Sequence, residues 1–296
     1  MICQKYFQPK TIQEALETLQ KFDGKARIIA GGTDLMVDLK TQKKKVDTLV
    51  DISQIEGLDE IRMDENRICI GAMVTHAQAS RSNLIRKKTP VLSEACSTVG
   101  SPQVRNMGTL VGNIVNAMPA ADAASALIAL GAKVNVISTG KQERTVFIEQ
   151  LYKGSGESLI DSTREIVTQV EFPLPESRSG SSFQRLSRRK GLSLPILNAA
   201  IFIHVDEDLK FFKEARMVIG PVSSAPFRPK RAEACLMGSM VTGEIIKQAA
   251  EAASEEASPR TSLRGSREYR KEMVKVLVGR GIHQSLVRIH PKFYSF

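Results

Sequence analysis

The sequence predicts an α+β fold in three modules: a small α/β unit, a mainly antiparallel α+β unit, and a C-terminal α+β domain with sheet and helices. Three observations support this prediction. The first 55 residues alternate helical and strand-like apolar patterns. Short strand-like segments then dominate to about residue 172. Beyond residue 183, two strand patterns precede three helical ones, which is typical of a domain with segregated sheet and helices.

The first module, residues 1–55, opens with a helix that begins at a capping box. Thr11 and Glu14 have the spacing of that box, apolar residues follow at helical spacing, and Gly24 ends the helix. The predicted strands of this module are 26–30, its continuation at 35–37 after a glycine turn, and 49–52.

The second module, residues 56–176, is predicted to alternate short strands and helices. Pro173-Leu174-Pro175 and the Ser/Gly-rich stretch 177–182 mark its end. An acidic residue, Asp122, is expected to be the N-cap of a helix that Gly131 closes. The predicted strands are 67–72, 133–137, 145–148 and 165–172, and the predicted helices are 75–82, 91–99 and 123–130.

The third module, residues 177–296, contains the longest helical patterns of the chain. Gly220-Pro221 ends its second strand. The predicted elements are strands at 198–205 and 215–219, followed by helices at 230–237, 243–257 and 267–278.

The chain is basic, with a formal net charge of +10 over 296 residues. Basic clusters lie at 43–45, 86–88 and 188–190, and most such runs are solvated surface. A nucleic-acid-binding protein is the alternative interpretation. Against it, the chain has no Trp, few Tyr and no recognition motif, and anionic cofactors or an acidic partner surface explain the charge as well. We expect no nucleic-acid partner.

No pattern in the chain indicates a membrane segment, a disulfide framework or a metal site. The chain lacks an apolar run of about eighteen residues, and its first residues lack the apolar core of a signal peptide. The cysteines are scattered and the histidines have no metal-ligand spacing, so we expect a cytoplasmic chain with free thiols and no cluster of its own. These residues are Cys3, Cys69, Cys96 and Cys235, and His76, His204, His283 and His290.

Two glycine-rich stretches carry the functional signal. Residues 105–113 read RNMGTLVGN, and glycine lets such a stretch direct main-chain N–H groups at an anion. An ordinary surface turn is the alternative for this stretch alone. Gly31-Gly32-Thr33-Asp34 follows a strand, as in several folds that bring backbone amides to a phosphate. Two glycine loops about 75 residues apart could hold a pyrophosphate from both sides.

The paired motif resembles the flavoprotein (FAD-binding) subunit of molybdenum hydroxylases. AGGTDL at 30–35 is followed by VGSPQVRN at 99–106, and then by the glycines, asparagine and aspartate of residues 108–122. The family includes the medium subunits of xanthine, nicotinate and carbon monoxide dehydrogenases, and the resemblance covers nearly the whole chain. It implies FAD-binding subdomain 1 at 1–55, FAD-binding subdomain 2 at 56–176, and a C-terminal flavoprotein domain at 177–296.

The resemblance also implies that FAD lies between the first two modules, with both glycine stretches on its diphosphate. Asp122 would hydrogen-bond the hydroxylated chain of the flavin, and Gln184 takes a place often held by Lys. The alternatives are plain core for the apolar positions, a helix cap for Asp122 and an exposed strand residue for Gln184. The implied contacts are Ile28, Ile29, Ala30, Gly31, Gly32, Thr33, Asp34 and Leu35; Thr109, Leu110, Val111, Gly112 and Asn113; and Val99, Gly100, Asp122, Val167 and Gln184.

The sequence departs from the family pattern at Val111, where T-x-G-G-N usually has glycine. A β-branched residue at positive φ is strained, so either φ is negative there or the loop has shifted. Neither glycine stretch contains histidine, so we expect FAD without a covalent link. The cysteine-rich insertion of the 4-hydroxybenzoyl-CoA reductase branch is missing.

The resemblance implies an electron-transfer subunit with no catalytic side chain of its own. A large partner subunit would carry the molybdenum cofactor and a small one the [2Fe–2S] clusters, and electrons would pass through FAD to NAD or another acceptor. The segment 259–270 resembles xanthine dehydrogenase-type subunits most closely. A stand-alone FAD-dependent reductase and a nucleic-acid-binding protein are the alternatives.

Overall fold

The computed structural model describes residues 3–189 and 191–295, so Lys190 of the third basic cluster lies outside the described residues. The chain divides into two compact units, each built from separate stretches of sequence. The first unit contains the chain up to Ala79, Pro102–Ala117 and Gly131–Pro173. The second contains Ser80–Ser101, Met118–Leu130 and the chain from Leu174 onward.

The secondary structure alternates short strands and helices, with the longest helices last. The strands are β1 (Lys5–Phe7), β2 (Ala26–Ile29), β3 (Thr48–Asp51), β4 (Ile61–Asp64), β5 (Arg67–Gly71), β6 (Lys133–Ser138), β7 (Glu143–Phe147), β8 (Tyr152–Gly154), β9 (Glu157–Ser158), β10 (Glu165–Pro173), β11 (Ser179–Leu186), β12 (Leu197–Val205) and β13 (Phe212–Gly220). The helices are α1 (Ile12–Phe22), α2 (Leu35–Lys40), α3 (His76–Arg81), α4 (Asn83–Lys88), α5 (Pro90–Thr98), α6 (Pro102–Met107), α7 (Leu110–Val115), α8 (Asp122–Ala129), α9 (Lys230–Leu236), α10 (Gly243–Glu256) and α11 (Arg267–Ile289).

The first unit contains a parallel three-stranded sheet in the order β1-β3-β2. Helix α1 begins as predicted, with the Thr11 hydroxyl accepting from the backbone N–H of Glu14 at 3.1 Å. Its buried face contains Ala15, Leu16 and Leu19. Strand β1 was missing from the prediction because its three residues are all exposed and carry no apolar alternation.

The first unit also contains a five-stranded antiparallel sheet in the order β4-β5-β10-β6-β7. Strand β10 lies at its centre and pairs with β5 and β6. Val170 and Phe172 of this strand are buried, as expected for a central strand. The mainly antiparallel α+β unit of the prediction is therefore confirmed.

The second unit packs helices on an antiparallel three-stranded sheet in the order β11-β12-β13. Strand β12 is the central strand and is buried along nearly its whole length. Helix α11 packs on β11 and β12, and α10 packs on α11. The sheet and the late helices form the segregated α+β arrangement that the sequence predicted.

Two predictions for this unit were wrong. Residues 179–182 are part of β11 and not of a linker, and helix α11 continues to Ile289 instead of ending near residue 278. The longer β11 and the longer α11 pack closely against each other, and small residues make this close approach possible. A Cβ at Gly180 would overlap the carbonyl oxygen of Ser285, and one at Gly281 would lie 2.6 Å from Ile201 Cγ1. The glycines that suggest a break are needed for packing.

A prediction for the first unit was also wrong: residues 35–37 do not continue a strand. They begin the six-residue helix α2, because Gly32 turns the chain at φ +66°. Leu35 and Leu39 lie one helical turn apart and pack in the same small apolar cluster. Among the described residues, no helix combines the length and the apolar character that crossing a bilayer demands.

Candidate functional site

The first glycine segment, residues 28–35, joins strand β2 to helix α2. Ile29 is buried, and the backbone N–H of Ile28 donates to the carbonyl of Ser162 at 2.9 Å. Gly31 and Gly32 follow, and the chain then enters α2 through Asp34, whose side chain makes no capping hydrogen bond. Burial, followed by the charge of Asp38, raises the pKa of Asp34. The segment is therefore a strand–turn–helix connection.

The second glycine segment, residues 108–113, is not the open loop that the sequence suggested. Gly108 and Thr109 link α6 to α7, and residues 110–113 form the first turn of α7. Thr109 is the N-cap of α7, and its hydroxyl accepts from the Gly112 N–H at 3.0 Å. Val111 is buried in this helix and has no positive φ, so the substituted position carries no backbone strain.

The two glycine segments meet in the first unit. A Cβ at Gly31 would overlap the carbonyl oxygen of Met107, and one at Gly108 would lie 3.3 Å from the Thr33 hydroxyl. Only glycine allows backbones to approach this closely. The contact brings together the starts of α2 and α7.

Residues 74–76 hold the second segment in place. The backbone N–H of His76 donates to the Gly108 carbonyl, and that of Leu110 donates to the Val74 carbonyl, both at 3.0 Å. Thr75 and Thr109 form an isolated antiparallel bridge. Nothing in the sequence indicates this support, because isolated bridges carry no periodic signal.

Two buried polar atoms at the second segment lack a hydrogen-bond partner: Asn113 Oδ1 and His76 Nδ1. Burial, and next the charge of Arg105, lowers the pKa of His76 from 6.5 to about 4. The imidazole is therefore neutral near pH 7. Buried polar groups are nearly always paired, so these atoms indicate a place that accepts a polar ligand.

Val167, in the first unit, is buried on β10 beside a register shift of the sheet. Four of the implied flavin contacts belong to the second unit: Val99, Gly100, Asp122 and Gln184. Gly100 has φ +50°, and its carbonyl accepts from the Leu192 N–H at 3.3 Å. The amide of Gln184 donates to Gln284 of α11.

Asp122 is the first residue of α8 and not its N-cap, which is Ala121, and its side chain makes no capping bond. Its carboxylate instead accepts from Arg185 Nε at 3.0 Å, from Asn198 Nδ2 at 2.6 Å and from the Thr98 hydroxyl at 3.0 Å. Burial raises the pKa of this carboxyl, against the opposing charge of Arg185. Asp122 therefore links α5, α8, β11 and β12 within the second unit.

In the part of the chain that the structure describes, no group of three or more His, Cys, Asp or Glu side chains could hold a metal. All four cysteines are free thiols. The geometry of the first unit instead fits an anionic dinucleotide. Its features are two abutting backbone turns without side chains in the way and a helix start on each.

Comparisons with known proteins agree with this arrangement. Residues 2–175 match the profile of the FAD-binding domain in molybdopterin dehydrogenase, and residues 182–285 match the C-terminal domain of the CO dehydrogenase flavoprotein. The nicotinate dehydrogenase FAD-subunit of Eubacterium barkeri is 33% identical over 92% of both chains. The 6-hydroxypseudooxynicotine dehydrogenase complex subunit alpha of Paenarthrobacter nicotinovorans is 32% identical over 97% of this chain and 95% of its own.

A solved structure has the same fold along almost the whole chain. It is a carbon monoxide dehydrogenase from Hydrogenophaga pseudoflava, similar with a TM-score of 0.89 and 27% identity over 97% of this chain and 98% of that one. The two matching domain profiles and the relatives cover the same sequence and indicate the same class of protein. The chain therefore belongs to the family of FAD-binding subunits of the molybdenum hydroxylases.

Proposed function

We propose that this chain is the FAD-carrying electron-transfer subunit of a heteromeric molybdenum hydroxylase. The observation that carries the proposal is the contact between Gly31 and Met107, which brings the two glycine segments together. Backbone amides at two helix starts would bind the FAD diphosphate, and the free amide oxygen of Asn113 would accept from a hydroxyl of the cofactor. The bound FAD would supply the redox chemistry, electron transfer from [2Fe–2S] clusters of a small partner subunit to NAD or another acceptor.

The protein residues would bind and orient the cofactor, and none needs to act as a general base. We propose contact through the first glycine segment and through residues 109–113, in both cases mainly by backbone. Val167 would lie on the flavin side. Four further contacts with the flavin remain predictions: Val99, Gly100, Asp122 and Gln184. The carboxylate of Asp122 already has three protein partners, so a flavin bond would add to that network.

We further propose that the complex has a large molybdopterin-binding subunit. Relatives named as subunits or medium chains of dehydrogenase complexes support it. For the substrate, xanthine dehydrogenase-type oxidation remains our candidate. A xanthine dehydrogenase FAD-binding subunit of Escherichia coli is 25% identical over 95% of both chains. The three-part division at residues 55 and 176 and the cytoplasmic location also remain proposals.

A cavity in the second unit supports an anionic acceptor such as NAD. It has a volume of about 430 Å³ and is lined by Arg188, Arg189 and Arg264. The Arg188 guanidinium donates to the Leu263 carbonyl, which joins the two loops that form the cavity. Guanidinium groups bind phosphates in a bidentate manner, so the cavity would bind the pyrophosphate of a nicotinamide dinucleotide.

FAD titration of the purified chain tests the proposal. We compare the wild type with Gly112→Asp and with the control Gly140→Asp, which adds the same charge to an exposed turn of the same unit. A carboxylate in the first turn of α7 favours the helix but repels a diphosphate. We expect about tenfold weaker FAD binding for Gly112→Asp, about 1.4 kcal/mol, and no change for the control. Absence of saturable FAD binding by the wild-type chain would contradict the proposal.

A further inference from the structure

The second unit contains another cavity, of about 230 Å³, where α4, β11 and α11 meet. Its wall includes Lys87 and Lys88 from the last turn of α4 and Arg288 from the last turn of α11. Ser179 and Ser181 of β11 line it as well. None of these residues is an implied flavin contact, so the cavity is independent of the proposed FAD site.

We propose that this cavity is a binding site for a phosphate group, either free phosphate or the phosphate of a small organic molecule. The charge at the cavity favours an anion. Lys87 and Lys88 are adjacent exposed cations, and in the described residues neither forms an ion pair. Two like charges at one cavity favour an anion between them.

Arg288 is a fixed part of the wall. Its guanidinium donates to the Ser181 carbonyl at 2.5 Å and pairs with the carboxylate of Glu94. Glu94 also accepts from the backbone N–H of Phe183 at 2.9 Å, so the carboxylate is held by two partners. Glu94 balances the charge of Arg288, which leaves the charges of the two lysines uncompensated.

A hydroxyl at the cavity also lacks a hydrogen-bond partner. The Ser179 hydroxyl is buried and has no hydrogen-bond partner, although the residue lines the cavity. Buried hydroxyls are normally paired, and a phosphate oxygen within reach of a χ1 rotation would supply the partner.

The apolar part of the wall decides what else the site accepts. Phe202, Pro90 and Pro175 line the cavity beside the cations. The ring of Phe202 is buried and stacks under the Arg216 guanidinium, with 4.5 Å between Arg216 Cζ and the ring centroid. A small apolar group attached to the phosphate would contact this surface, which an inorganic ion leaves unused.

Calorimetric titration of the full chain, saturated with FAD so that its diphosphate site is filled, tests the proposal. The probes are inorganic phosphate and phenyl phosphate at constant ionic strength. We compare the wild type with Lys87→Gln/Lys88→Gln and with the control Lys43→Gln/Lys45→Gln, which removes the same charge from a loop of the other unit. All four lysines are exposed, so we expect every variant to fold.

We expect saturable phosphate binding that is about tenfold weaker in Lys87→Gln/Lys88→Gln and unchanged in the control. The Ser179→Ala variant should weaken binding about threefold. Tighter binding of phenyl phosphate than of inorganic phosphate would identify a small organic phosphate as the ligand, and equal binding would identify the free ion. No saturable binding at millimolar phosphate, or equal weakening in both double variants, would overturn the proposal. The same titration without FAD keeps this result separate from a failure of the FAD proposal.

Discussion

Replacing Asp122 by alanine should destabilise the second unit strongly. The carboxylate accepts hydrogen bonds from Arg185, Asn198 and Thr98, and the side chains of Asp122 and Arg185 are only 5% and 10% exposed. Removing the acid leaves a buried guanidinium without its counter-charge, at a cost of about 3–5 kcal/mol. It also leaves the Asn198 amide without the bond at 2.6 Å, which adds to that cost.

Urea unfolding of the FAD-free chain measures this cost without a contribution from ligand binding. The control is Glu255→Ala, which removes a pair with Arg231 in the same unit at a distance of 3.3 Å. Both of its side chains are more than 60% exposed, so we expect a loss below about 1 kcal/mol. Asp122→Asn, which keeps the shape but not the charge, should lie between the two. A loss for Asp122→Ala no larger than that of the control would refute the reasoning.

Three further predictions concern pH, packing and the flavin link. The pKa of His76 is about 4 in the folded chain and near 6.5 in the unfolded one. Its contribution to the free energy of unfolding should therefore be fully present above pH 6.5 and should fall by roughly 3 kcal/mol at most as the pH drops towards 4. In urea unfolding across that range, His76→Gln should lose this dependence of the unfolding free energy on pH. An unchanged pH dependence in the variant would argue against the role of His76. Gly180→Ala should cost about 1–3 kcal/mol, because its Cβ meets the backbone oxygen of Ser285, whereas the open Gly243→Ala should cost nothing; equal thermal stabilities would contradict this. Acid precipitation of the holo chain should release all flavin into the supernatant, and yellow precipitate would show a covalent link.

Local signals predicted most of the architecture. The capping box at Thr11, the alternation in β10 and the order of sheet and helices in the second unit are all properties of short sequence windows. The paired glycine motif predicted that two distant segments would come together, and the Gly31–Met107 contact confirms this.

The errors have a common physical cause, since tertiary packing decided what local signals could not. The Ser/Gly stretch at the start of β11 looked like a linker, but α11 requires small residues there. Asp122 looked like a helix cap, but its carboxylate faces Arg185 and Asn198, which are 63 and 76 residues away in sequence. For Val111 the sequence left open a negative φ or a shifted loop, and the helical backbone without a positive φ agrees with the first alternative.

The interleaved course of the chain has a consequence for how the protein can be divided. Residues 80–101 and 118–130 leave the first unit and supply helices α4, α5 and α8 to the second, where they pack with strands that come after residue 174. A fragment cut near residue 176 would carry these helices away from β11–β13 and expose their apolar faces to water. Neither half of such a cut should persist as an independent folded body, so proteolytic nicking between β10 and β11 should yield fragments that remain associated until they are denatured.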